Sequence, residues 1–157
     1  MTIPLTFGVC LISALFPLVN AETYLVALGI ATDPAGLWLL AFVAGLGQTV
    51  GKVIWYEVGH RSLSWSLTQR KLGSPKAQLL RKVWHDRLDA RPVVSGAVLF
   101  LAATVGLPPL FVMAVVAGQL ELNRVGFTVI VLIGRTLRFA AVLGGLSWVM
   151  DAMRAVG

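Results

Sequence analysis

The chain has 157 residues, of which 57% are hydrophobic and only 13% charged, with a mean hydropathy of +0.84. A soluble domain ordinarily carries about a quarter charged residues, so this composition lies well outside that class. The length suits a single membrane domain, residues 1–157. The net charge of +6 sits beside membrane segments, which makes nucleic acid a poor partner.

The first apolar segment, 3–31, is interrupted at Phe16-Pro17-Leu18-Val19-Asn20-Ala21-Glu22. It reads as two short helices, 4–15 and 17–31, meeting at Pro17, with Glu22 about one turn into the second. Hydrocarbon leaves a broken helix unsatisfied, so such a break survives only where it lines a cavity or is buried in protein. No basic residue precedes Lys52, so a secretory signal is not expected. The lone Cys10 excludes an intramolecular disulfide and reads as a packing residue.

After a turn at Asp33-Pro34, the segment 36–59 is long enough to span, and it contains Lys52 and Glu57. Ala41-x-x-x-Gly45 and Gly47-x-x-x-Gly51 offer faces for close helix approach. Trp38 and Trp55, with Trp148 further on, stand near span ends, where an aromatic belt is expected.

The polar connector 60–91 holds eight Lys or Arg against Asp86 and Asp89, a net of +6, which assigns it to the cytoplasmic side. Ser74-Pro75 suits a helix start. Lys76, Arg81, Lys82 and Arg87 flank the apolar stripe of Leu79, Leu80, Val83, Trp84 and Leu88. That pattern suits either a helix lying on an anionic leaflet or a plain topology anchor.

The third segment, 92–120, breaks at Gly106-Leu107-Pro108-Pro109-Leu110-Phe111 and reads as helices 93–107 and 109–120. A turn over Glu121 to Arg124 leads to the last span, 125–150, which carries Arg135 and Arg138 and the small-residue faces Ala140-x-x-x-Gly144 and Ala141-x-x-x-Gly145. An offset of 89 relates Gly29 to Gly118 and Gly45 to Gly134, which makes 3–59 and 92–150 two repeats. If the broken segments are re-entrant the repeats are inverted, and if all four segments span they are parallel. The inverted arrangement is the preferred one. The expected fold is therefore all-α and integral to the membrane. Two pseudo-symmetric halves, each a proline-broken helix followed by a spanning helix, are joined by the basic connector.

A charge at a helix centre in the membrane costs roughly 2.5–3.5 kcal/mol on insertion scales, so each should face a partner or a wet cavity. Glu22 from the first half and Arg135 with Arg138 from the second are expected to meet, forming a site for a phosphate head group with Glu22 as a proton-sensitive gate. The alternative is a static ion pair that fixes packing. Lys52 is a further candidate that neutralises Glu22 or snorkels, and Asn20 and Gln48 either line the cavity or satisfy freed backbone groups. Enzyme signatures are missing: His60 and His85 are far apart with a single Cys, and there is no phosphate loop or nucleophile elbow. No enzyme activity, metal or cofactor is expected.

Pro17 through Glu22, then Gly51-Lys52-Val53-Ile54-Trp55-Tyr56-Glu57-Val58-Gly59-His60-Arg61, resembles the DedA family, also called VTT or SNARE-associated membrane proteins. Ala117-Gly118 is similar to the end of that family's second broken segment, and Ile133-Gly134-Arg135-x-x-Arg138-Phe139 to its short YqaA-like branch. The resemblance implies an inverted pair of re-entrant helices and flippase or scramblase transport of lipids, polyprenyl phosphates included. It carries the family's glutamate onto Glu22. Lys52 stands where larger members often have an acid, and the second break lacks their flanking arginines. The implied protein is multi-pass in the plasma membrane (a bacterial inner membrane), with anionic or phosphate-bearing lipids as partners. Protons and a second copy of the chain are further candidate partners. A small ion exchanger and a non-transporting assembly protein are the competing functions.

Overall fold

The computed structural model describes residues 2–16, 20–30, 32, 34–62, 79, 82–83, 92–106 and 109–156. These form six helices and no strand: α1 (Thr2–Leu15), α2 (Ala21–Gly29), α3 (Pro34–Ser62), α4 (Pro92–Thr104), α5 (Leu110–Gln119) and α6 (Arg124–Val156). Pro17, Pro108, Lys76, Arg81 and Arg87 lie outside the described residues, as does nearly all of the connector; Lys82 is exposed.

Each element ends where the sequence supplies a reason. The Phe16 N–H still donates to the Ile12 carbonyl at 2.8 Å, so α1 stays helical up to its break. The second short helix begins at Ala21 rather than at 17, because Asn20 caps it: Asn20 Oδ1 accepts from the N–H groups of Glu22 at 2.9 Å and Thr23 at 3.4 Å. Pro34 occupies the first position of α3, where a missing N–H is harmless. Gly106, with φ 92°, stops the chain beyond α4 in a left-handed conformation that a side chain resists. Pro109 precedes α5 as its cap residue. The N–H groups of Glu121 and Leu122 close the end of α5 by donating to the carbonyls of Gly118 and Ala117, both at 3.1 Å. Glu121 takes φ 55° there, in the place usually held by glycine. Asn123 then caps α6 through Oδ1, which accepts from the Gly126 N–H at 2.9 Å.

Two stretches, Gly36–Ser62 and Arg124–Gly145, are long and apolar enough to cross a membrane, with mean hydropathies of 1.6 and 1.7. The core helix of a soluble protein would be mostly buried, whereas only 22% of the apolar window in α6 is. Val125, Val129, Ile133 and Leu137 form an exposed apolar stripe on it, and Trp38, Phe42, Leu46, Val50 and Ile54 form another on α3. Stripes of this kind suit lipid. The other helices are shorter: the 14 residues of α1 reach about 21 Å at 1.5 Å each, against roughly 30 Å of hydrocarbon. Helices α4, α5 and α6 start 90, 89 and 90 residues after α1, α2 and α3, so the same order of elements occurs twice.

The chain divides into two compact units, Met1–Gly51 with Leu132–Gly157, and Lys52–Val131. The division falls within α3 and within α6, so each long helix contributes to both units. In the first unit, α1 and α2 fold back on each other, with Thr6 Oγ1 3.2 Å from Tyr24 OH. Cys10, Ala21, Leu25, Leu40, Ala41, Ala44, Phe139 and Leu143 make the core. Small residues permit close backbone approach: a Cβ on Gly47 would lie 2.6 Å from the Phe7 carbonyl oxygen, and one on Gly51 would strike the Ala14 methyl. In the second unit, Tyr56, Leu99, Ala102, Ala103, Leu110, Ala114, Ala117, Phe127 and Val131 form the core. Tyr56 OH donates to the Leu122 carbonyl at 2.6 Å and ties α3 to the turn before α6. Gly59 and Gly118 admit the backbones of Val115 and Tyr56, respectively.

Two expected roles are filled differently. Trp38 and Trp148 are exposed at 68% and 73%, as belt residues would be, but Trp55 packs with Phe111 at a centroid distance of 6.3 Å. Gly144 and Gly145 would meet nothing within 4 Å of an added Cβ, so that small-residue face closes on no neighbour among the described residues.

Candidate functional site: a carboxylate and two guanidinium groups

The first unit brings together the charges singled out in the sequence. Glu22 is the second residue of α2, and Asn20 holds the N–H groups of that turn in place. The partial positive charge at a helix N-terminus favours a carboxylate there. From α6, Arg138 reaches Glu22: Nε donates to Oε1 at 2.7 Å and Nη2 lies 2.5 Å from the same oxygen. Both donors converge on Oε1, unlike a two-oxygen fork. The Glu22 side chain keeps 37% of its surface exposed against 24% for Arg138.

Arg135 lies one turn earlier on α6, eleven residues from Arg124 and ten from Gly145, hence about 15 Å from each end of the span at 1.5 Å per residue. It is two positions from Ile133 and from Leu137, and therefore about 200° around the helix from the exposed apolar stripe. Its Nε is buried and has no hydrogen-bond partner, and the hydroxyl of Thr136 beside it is in the same state. Thr136 is held there by α3, where Gly45 leaves room for it. A buried orphan donor at the centre of a span calls for water or a ligand. Gln48 is buried on α3, and its Nε2 donates to Ser13 Oγ at 3.2 Å in the last turn of α1. It therefore joins the broken segment to the spanning helix.

The site thus holds one carboxylate against two guanidinium groups, an excess of one positive charge, with both arginines on a helix long and apolar enough to cross a membrane. Lys52 is buried at 7% exposure on α3, at the first position of the second unit. Glu57 also belongs to that unit, where Arg124 Nη1 approaches it to 2.9 Å and Arg61 Nε to 4.0 Å. The contact with Arg61 is an i,i+4 pair visible in the sequence, whereas the Arg124 contact and the orphan Thr136 hydroxyl depend on tertiary packing and have no sequence signal. No group of three or more His, Cys, Asp or Glu suited to a metal occurs among the described residues.

Asn20→Ala removes the cap beneath Glu22 and should cost about 1 kcal/mol. Thermal unfolding in detergent should show a correspondingly lower midpoint while the Arg138 contact persists.

No protein-family model, curated protein or solved structure matches the chain.

Proposed function

We infer that the protein is a membrane lipid transporter, a flippase or scramblase that passes a phosphate-bearing head group such as that of a polyprenyl phosphate or phospholipid. The observation carrying this reading is the Arg135 guanidinium, with its Nε buried and unpartnered midway along a span, one turn from an Arg138 already engaged by Glu22. Phosphate is an anion whose geometry such donors match, and its negative charge offsets the excess positive charge when it binds. The proposed setting is an inverted pair of re-entrant segments in the plasma membrane, with the connector cytoplasmic, as in the DedA family that the sequence resembles. Support for re-entry comes from the lengths of α1, α2, α4 and α5, all too short to cross alone. It also comes from α5, whose Gln119 Nε2 donates to Ser62 Oγ at the end of α3 from which the connector leads to α4.

The test is reconstitution in vesicles with a labelled polyprenyl phosphate or phospholipid. Wild-type protein should speed leaflet exchange, and Glu22→Gln and Arg135→Ala should each slow it at least about tenfold, since a charge-assisted hydrogen bond contributes roughly 1.5–3 kcal/mol. Exchange unchanged in both variants would remove these residues from transport. Proton or ion flux without added lipid would point instead to an exchanger. A non-transporting assembly role has one observation in its favour, the unpacked face at Gly144 and Gly145, and would be supported by normal function after every intramembrane charge is neutralised.

A further inference from the structure

We propose that Glu22 is a built-in competitor for the ligand anion: it occupies Arg138 when the site is empty and gives that guanidinium up when a phosphate group binds. The proposal deepens the transport reading and rests on it for the identity of the anion. Its basis is the way the charges are matched. Arg138 directs Nε and Nη2 to the same Glu22 oxygen, and the Glu22 side chain remains partly open to its surroundings. A carboxylate built to lock packing would be enclosed, whereas this one is 37% exposed. Its release is made inexpensive by the N-terminus of α2, because that helix end and the Asn20 cap remain with Glu22 when Arg138 leaves.

The second half of the basis is Arg135. Its buried Nε already lacks an acceptor, so a tetrahedral oxyanion entering beside Glu22 gains one guanidinium outright and contests the other. A phosphate group offers enough acceptor oxygens for both arginines, and the single carboxylate oxygen at Arg138 does not. Binding of the anion and pairing of Glu22 with Arg138 therefore exclude each other, and the effect must be reciprocal. The consequence runs against intuition for a residue required for transport: neutralising it strengthens binding.

The measurement is the affinity of purified full-length protein in detergent for inorganic phosphate, for short-chain phosphatidic acid, and for the matching diacylglycerol as the uncharged control. Glu22→Gln should tighten phosphate binding about tenfold, a magnitude usual for coupling between competing ligands. Arg135→Ala should weaken it by a similar factor. Equal or weaker binding by Glu22→Gln overturns the proposal. Tightening seen for phosphatidic acid as well as for inorganic phosphate assigns the anion to a lipid head group, and tightening for inorganic phosphate alone assigns it to a free anion. Should Glu22→Gln not fold, labelling of the wild type decides: modification of Glu22 by a hydrophobic carbodiimide should rise when phosphate is added, and constant or reduced labelling overturns competition. The vesicle assay is separate. Lipid exchange with no tightening leaves transport standing without competition, and tightening with no exchange leaves competition standing without transport.

Discussion

Arg138→Ala should destabilise the protein by about 2–4 kcal/mol. Removing one partner of a buried ion pair ordinarily costs roughly 3–5 kcal/mol, because the remaining charge is left without compensation. The lower figure applies here because Glu22 retains 37% side-chain exposure and sits at the first turn of α2, which offsets part of its charge. Glu22→Gln in the same background should recover most of the loss, and the resulting double-mutant cycle isolates the pair term. Unfolding in detergent, followed by circular dichroism, reads all four corners. Arg135→Ala should be nearly neutral or stabilising in the same measurement, since its buried Nε has no hydrogen bond to lose. That contrast separates the arginine that is ion-paired before any anion binds from the one that is not.

Gly118→Val should be at least as damaging, for a different reason. A Cβ at Gly118 would strike the Tyr56 carbonyl oxygen and lie 2.8 Å from the His60 nitrogen, both backbone atoms of α3 that cannot rotate away. Overpacking of this kind costs typically 1–3 kcal/mol and more where backbone must move. The expected loss is about 3 kcal/mol or greater, with poor recovery of folded protein. Gly144→Ala makes the comparison sharp: nothing lies within 4 Å of its added methyl, so its effect should stay within about 0.5 kcal/mol. A large effect at Gly144 would mean that a second copy or another protein covers that face.

Both broken segments, the two helices long enough to span, and the charges Glu22, Arg135 and Arg138 are legible from apolar runs interrupted by proline or charge, because the membrane imposes length and satisfaction on every element. The break is less sharply legible. Pro17 alone predicts a helix starting at 17, whereas the described helix begins after Asn20, since a side-chain cap that satisfies two N–H groups sets the boundary. The Gly47 and Gly51 face is a true packing surface, whereas a Cβ added at Gly144 or Gly145 meets nothing within 4 Å, although both faces show the same small-residue spacing. Spacing announces that a close approach is allowed, and only the neighbouring helix decides whether it occurs. For the same reason Arg124 could not be assigned to Glu57 in advance, as those residues are 67 positions apart and meet only once α6 is in place.

The most direct test of the central claim is a lipid-bilayer structure of the protein with a phosphate-bearing lipid present. Phosphate density within hydrogen-bond distance of Arg135 Nε, with Arg138 turned from Glu22 toward it, is the predicted result. A dry site in which Arg135 Nε bonds to protein and Glu22 keeps Arg138 in the presence of saturating lipid would contradict it.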